Sequence, residues 1–176
     1  MRPYDAFMEG SSERTRHLWS LLIVAAAVIA IDQGTKAIVA SKLAEGESIR
    51  ALGGVLHWTF QRNPGSAFGL FRHFPVAFTI IAAVIAVAIL AGSSRIRDRF
   101  TAVSLGLVLG GAVGNLVDRV ARPPGVFRGH VIDFIDFRVW PVFNIADSAV
   151  VIGVILLLVA SWRVERQVKT GDRAPA

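Results

Sequence analysis

Cysteine is absent from the 176 residues, which removes disulfides, thiolate nucleophiles, cysteine-ligated zinc and iron–sulfur clusters together. Charge is scarce: 18% of residues are Asp, Glu, Lys or Arg, against about 25% in an average soluble domain. No metal-ligand spacing is present, since His17, His57, His73 and His130 are scattered. Ser66 lies in Asn63-Pro64-Gly65-Ser66-Ala67-Phe68, not in a Gly-x-Ser-x-Gly elbow. No glycine-rich loop follows a strand, so nucleotide binding has no support, and neither a metal nor a cofactor is expected. What abounds is apolar surface. Hydrophobic residues make up 53% of the chain and the mean hydropathy is +0.55. That is too apolar for a cytosolic domain of this length and points to an integral membrane protein. The net charge of +6 then reads as basic loops facing anionic lipid head groups, with no nucleic-acid partner.

Four stretches are long and apolar enough to cross a bilayer, which takes about 20 residues of helix. They run over about 18–40, 75–92, 100–117 and 142–162. The first is preceded by basic residues, as in a secretory signal, but no small-x-small cleavage site follows it, so it is read as a retained span. The whole chain, 1–176, is expected to form a single polytopic membrane domain. Ten Lys and Arg fall in the 38 residues of the N-terminal segment, the 93–99 turn and the tail, against eight in the 58 residues of loops 41–74 and 118–141. The positive-inside rule therefore places both termini in the cytoplasm and those two loops outside.

The outer loops carry strand patterns. From Leu56 to Gln61, apolar and polar residues alternate with period two, and Val131 to Val139 is a second β-branched and aromatic run. Pro123-Pro124-Gly125 marks a turn before it. The expected fold is a mainly α membrane protein, with four transmembrane helices and a small extracytoplasmic β element.

Carboxylates carry the functional argument. Asp5, Asp98 and Asp172 fall in cytoplasmic segments; Asp32, Asp118, Asp133, Asp136 and Asp147 fall at the outer ends of spans or in the second outer loop. Intramembrane ionisable groups are costly, so they pair or perform chemistry. Asp32 and Lys36 share a helix face at i,i+4 and serve either as mutual neutralisation or as part of a site. Gly106, Gly110 and Gly114 form a small-residue stripe suited to close helix packing, ending in Asn115, Asp118 and Arg119. Asp118 and Arg119 invite reading as a structural ion pair. Asn144 and Asp147 have the spacing of a helix cap, with the carboxylate at the positive helix end. Asp133 lies among Ile132, Phe134 and Ile135. Two carboxylates meeting in a partly desolvated site cannot both ionise easily; they share a proton and can activate a water between them, as an aspartic peptidase requires. A small proton-coupled carrier or channel subunit is the rival reading, but it wants charges strung across the bilayer, whereas here they gather on one side.

Five motifs occur in a fixed order: Asp32-Gln33-Gly34-Thr35-Lys36, Arg62-Asn63-Pro64-Gly65-Ser66-Ala67-Phe68, the run from Gly110 through Asn115 to Asp118-Arg119, Val131-Ile132-Asp133-Phe134, and Phe143-Asn144-Ile145-Ala146-Asp147. In this the chain resembles the bacterial signal peptidase II family over about residues 18–162. The resemblance implies four transmembrane helices, an extracytoplasmic β-cradle and an active site near the outer leaflet of the bacterial cytoplasmic membrane. It implies an aspartic endopeptidase that removes the signal peptide from diacylglyceryl-modified prolipoproteins, cutting before the lipidated cysteine. Prolipoprotein substrates and membrane phospholipids are then the partners, and a monomer is expected. The catalytic aspartates match Asp133 and Asp147, while Asp32, Lys36, Asn63, Asn115, Asp118, Arg119 and Asn144 shape or line the site. Two stretches depart from the family form: Arg119–His130 looks longer and Asp136–Phe143 shorter. Asp136 is the nearby competitor for the dyad, and the Val-x-Asp-Phe pattern favours Asp133.

Overall fold

The computed structural model describes residues 3–65 and 75–171. Ser66, Ala67 and Phe68 of the second motif lie outside the described residues. Four helices carry the fold: α1 (Pro3–Lys42), α2 (Pro75–Gly92), α3 (Arg99–Ala121) and α4 (Ile145–Gly171). Four helical segments are long and apolar enough to span a bilayer: Glu13–Lys42 of α1, Val76–Arg95 of α2 with the 3-10 turn that follows it, Arg99–Ala121 of α3 and Ile145–Arg163 of α4. Central in the bundle is α3, which packs against α1, α2 and α4.

The helix ends differ from the apolar runs for physical reasons. At 40 residues, α1 is about 60 Å long at 1.5 Å per residue, so helix continues well before the apolar run begins at Leu18. Hydropathy marks where lipid is, whereas helix propensity in the polar, proline-free stretch after Pro3 carries the backbone further. Likewise α3 runs four residues past Val117, so Asp118 and Arg119 are helical and not in a loop. Its start is set by Asp98, whose carboxylate accepts the Thr101 amide at 2.8 Å. The fourth helix begins three residues later than the apolar run, because Phe143 is held in an antiparallel bridge to Ile135 and Asn144 caps the helix.

Close approach between helices depends on glycine. A Cβ on Gly106 would meet the Leu21 carbonyl at 2.7 Å, and one on Gly110 would meet Val28 Cβ at 2.7 Å, so these two lie against α1. Gly111 lies against α4, with the Ala146 carbonyl and Val150 where its side chain would be. Gly111→Ala is therefore expected to push the first turn of α4 away from α3. A loss of about 1–3 kcal/mol in stability, read from the thermal unfolding midpoint in detergent, should accompany a fall in activity.

The strands form one antiparallel sheet in the order β1-β2-β3: β1 (Ser48–Ala51), β2 (Leu56–Asn63) and β3 (Val131–Asp136). β2 agrees with the alternating pattern and extends two residues beyond it. β3 stops at Asp136, short of Val139, because the chain turns there: Arg138 adopts φ 64 and donates its amide to Asp136 Oδ1 at 2.7 Å. Beneath the sheet, Leu43, Phe60, Ile132 and Phe134 form an apolar cluster that seats it on the end of α1.

Candidate active site

The site is built outward from the end of α4. Asn144 is the N-cap: its Oδ1 accepts the Asp147 amide at 2.9 Å, and Asp147 Oδ2 accepts the Asn144 amide at 3.2 Å. This reciprocal capping box fixes the Asp147 carboxylate by its own helix end. The other oxygen, Oδ1, accepts from Asn115 Nδ2 on α3 at 2.8 Å. Asp133 arrives from the opposite direction, on β3. Its Oδ1 accepts from Asn144 Nδ2 at 2.7 Å and its Oδ2 from Asn63 Nδ2 at 2.8 Å. Asn144 thus touches both aspartates, the backbone amide serving one and the side-chain amide the other.

Behind this layer lies an ionic cluster whose centre, Asp32, Lys36 and Asp118, is fully buried. Lys36 Nζ contacts Asp32 Oδ2 and Asp118 Oδ2, each at 2.7 Å, and donates to Asn115 Oδ1 at 3.0 Å. Asp32 Oδ1 accepts the Ala146 amide at 3.0 Å, so an acid of α1 meets the positive end of α4. Asp118 Oδ1 pairs with Arg122 Nε at 2.6 Å. Gln33 Nε2 donates to the Gly114 carbonyl at 3.0 Å and to Asp118 Oδ1 at 3.3 Å. Arg119 donates to the Asn63 and Gly129 carbonyls at 3.1 and 2.9 Å. It ties β2 to the 122–130 loop and does not pair with Asp118, which takes Lys36 and Arg122 instead.

The two aspartates line one cavity of about 720 Å³. Its polar side holds Asn63, Asn115 and Arg119; its apolar wall includes Phe78, Ile81 and Ile85 of α2 and Val150 of α4. Burial pushes the Asp133 carboxyl up to about 7, and the negative charge of Asp147 adds to the rise. The amides of Asn63 and Asn144 and the charge of Lys36 oppose it. A carboxyl so placed keeps its proton near neutral pH beside a second carboxyl, the condition under which a pair can act as acid and base.

All nine residues named from the sequence converge here. Asp136 does not. Three residues on from Asp133, it faces the other side of the strand, where Thr59 Oγ1 donates to it at 2.9 Å and Arg138 Nε lies at 3.3 Å. Two members of the cluster escaped the sequence reading. Gln33 stood in a quoted motif without a role, and Arg122 was legible only as an i,i+4 partner of Asp118.

Fold and site define a class: a polytopic membrane protein in which two acids line one cavity at one end of the bundle, backed by a buried ionic cluster. Residues 24–163 match the signal peptidase (SPase) II family, Peptidase_A8. The lipoprotein signal peptidase of Mycobacterium avium (strain 104) is 45% identical over 146 residues, covering 83% of this chain and 80% of the relative. That of Streptomyces coelicolor is 44% identical over 154 residues, covering 86% and 76%. A bacterial membrane enzyme solved by the in meso method at 2.3 Å resolution superposes with a TM-score of 0.73 at 32% identity, over 89% of this chain and 92% of that one. The chain belongs to the signal peptidase II family, and is accordingly a hydrolase of the aspartic peptidase class acting in lipoprotein processing.

Proposed function

We propose that this protein is a single polytopic unit of the bacterial cytoplasmic membrane that removes the signal peptide from diacylglyceryl-modified prolipoproteins, cutting before the lipidated cysteine. Asp133 and Asp147 are the catalytic pair. The observation that carries the reading is that both aspartates, each hydrogen-bonded to Asn144, line one mainly apolar cavity with a polar side. The signal helix enters against the apolar wall of α2 and α4, and the lipid chains stay in the outer leaflet. The enzyme acts as a monomer, both termini are cytoplasmic, and the sheet lies at the outer face.

Peptide bonds within a helix are shielded, so the cleavage stretch unwinds beside the pair, where the polar side of the cavity, with Asn63, Asn115 and Arg119, offers groups that lipid lacks; Asn144, fully buried, holds the pair from behind. One aspartate, ionised, takes a proton from water as the hydroxyl oxygen attacks the scissile carbonyl carbon. The other, protonated, gives its proton to the carbonyl oxygen. In the collapse of the tetrahedral intermediate the amide nitrogen receives a proton and the C–N bond breaks. Asp32, Lys36 and Asp118 hold Asn115, and through it Asp147, in place; Arg119 holds Asn63.

Cleavage of a purified diacylglyceryl prolipoprotein by the purified protein, with the new N-terminus read by mass spectrometry, tests this. A lipidated cysteine as the first residue of the product is expected; a cut elsewhere, or none, overturns the reading. Because the pair must retain one proton and Asp133 sits at about 7, turnover should fall as pH rises through that value, approaching about tenfold per unit. A rate that stays flat from pH 6 to 9 contradicts this.

A further inference from the structure

A second cavity of about 470 Å³ lies at the other end of the bundle, lined by Arg14 of α1 and by Ser94, Arg95, Ile96 and Arg97 of the link between α2 and α3. Twenty-two helical residues separate Arg14 from Lys36, about 33 Å along α1. That distance is close to the roughly 30 Å hydrocarbon thickness of a bilayer. The candidate spans begin or end at this pocket, at Glu13, Arg95 and Arg99, so it sits at head-group depth in the leaflet opposite the aspartates.

Three arginines meet here without a carboxylate partner among the described residues. Glu13, next to Arg14, reaches Arg16 at 3.8 Å. Asp98, the acid of the link itself, is turned away to cap α3 through the Thr101 amide. Ile96, 6% exposed, joins the inner apolar cluster with Leu21, Ala86 and Ala102. The pocket therefore has a guanidinium rim and a floor continuous with the bundle interior.

We infer that this pocket binds a phosphate anion, and that the anion is the head-group phosphate of an acidic phospholipid. Guanidinium groups bind phosphate through planar pairs of N–H donors. A basic pocket between spans at the membrane surface is the arrangement that captures anionic head groups. The apolar floor and the depth favour a lipid over free phosphate as the source. The site is independent of the peptidase reading, because none of its residues belongs to the aspartate cavity.

The test uses the full chain in nanodiscs of zwitterionic lipid with a minor fraction of phosphatidylglycerol, transferred to native mass spectrometry. The wild type should retain phosphatidylglycerol, and each arginine replaced by Gln should weaken retention about fivefold, so that the Arg14→Gln, Arg95→Gln, Arg97→Gln triple variant loses it by about a hundredfold. A charge-matched control, Arg16→Gln with Arg99→Gln and Arg163→Gln, should retain it, and prolipoprotein cleavage in detergent should be unchanged in both variants. Competition with inorganic phosphate separates the sources. Lipid that resists millimolar phosphate supports the head-group assignment, and lipid displaced by it overturns that assignment. Equal retention by the triple variant and the control overturns the pocket as a binding site.

Discussion

Asp147→Asn is expected to abolish prolipoprotein cleavage while leaving a folded, membrane-inserted protein. The substitution keeps shape and removes the charge. One carboxylate oxygen becomes an NH2 group that cannot accept, and it must face either Asn115 Nδ2 or the Asn144 amide, both of which donate to Asp147. One lost acceptor at a half-buried position costs about 1 kcal/mol of stability. Loss of a general acid or base costs on the order of 10²–10⁴-fold in rate, and a dyad deprived of its shared proton falls at the upper end. Asp133→Asn has the same expected effect on rate, with Asn63 and Asn144 as the donors left facing an NH2 group. Single-turnover cleavage, with thermal unfolding measured in parallel, separates the two quantities. Rates within a few-fold of wild type in either variant would remove the pair from the mechanism. Asp136→Asn should leave the rate near wild type, because that side chain belongs to the far face of the sheet.

The largest effect on stability is expected from Lys36→Met. Lys36 is fully buried between Asp32 and Asp118, both themselves 0% exposed. A thioether of similar length fills the space and supplies no charge. Asp118 keeps Arg122, but Asp32 keeps only neutral donors, the Ala146 amide and Gln33. Breaking a buried pair by removing one partner typically costs about 3–5 kcal/mol. The variant should be recovered in low yield, with a lowered unfolding midpoint, and should be nearly inactive because Asn115 loses the ammonium that orients it. Asp32→Asn combined with Lys36→Met should regain part of the stability, since the orphaned charge is removed as well. A double variant no more stable than the single one would mean that the ammonium contributes by packing and not by compensating charge.

Much of this arrangement could be read from the sequence, and the limits of the reading have physical causes. Lipid cannot satisfy backbone groups, so a spanning segment must be both helical and apolar, and four such segments stand out. Their ends are less legible, because helix continues wherever propensity and capping allow; Asp118 and Arg119 therefore proved helical. The strand β2 announced itself by alternation, whereas β1 has four residues, too few for a period to register. Asn144 and Asp147 showed capping spacing because a cap is a local device. The hub role of Asn115 was not visible: its partners Lys36, Asn144 and Asp147 lie 79, 29 and 32 residues away. Nor could spacing decide between Asp133 and Asp136. Strand parity separates them, but which face meets α4 depends on the register of β3 against β2, where a bulge lies between Trp58 and Gln61.

The clustering of buried charge also bears on the carrier alternative. Among the described residues, the buried ionisable groups are Asp32, Lys36, Asp118, Arg119, Asp133 and Asp136. All belong to the sheet or to the helix ends beneath it, so no ladder of titratable groups crosses the bundle, as a proton path would require.

The contact between Asp32 on α1 and the Ala146 amide on α4 spans 114 residues of sequence. A nascent chain emerging from the ribosome must place its first helix in the bilayer long before its last has been translated. The i,i+4 pairing of Asp32 with Lys36 lets that helix partition as a neutral ion pair during the wait. Only when the final helix docks does the second carboxylate oxygen of Asp32 gain the Ala146 amide, so the polar network joining Asn115, Asn144 and Asp147 closes last of all.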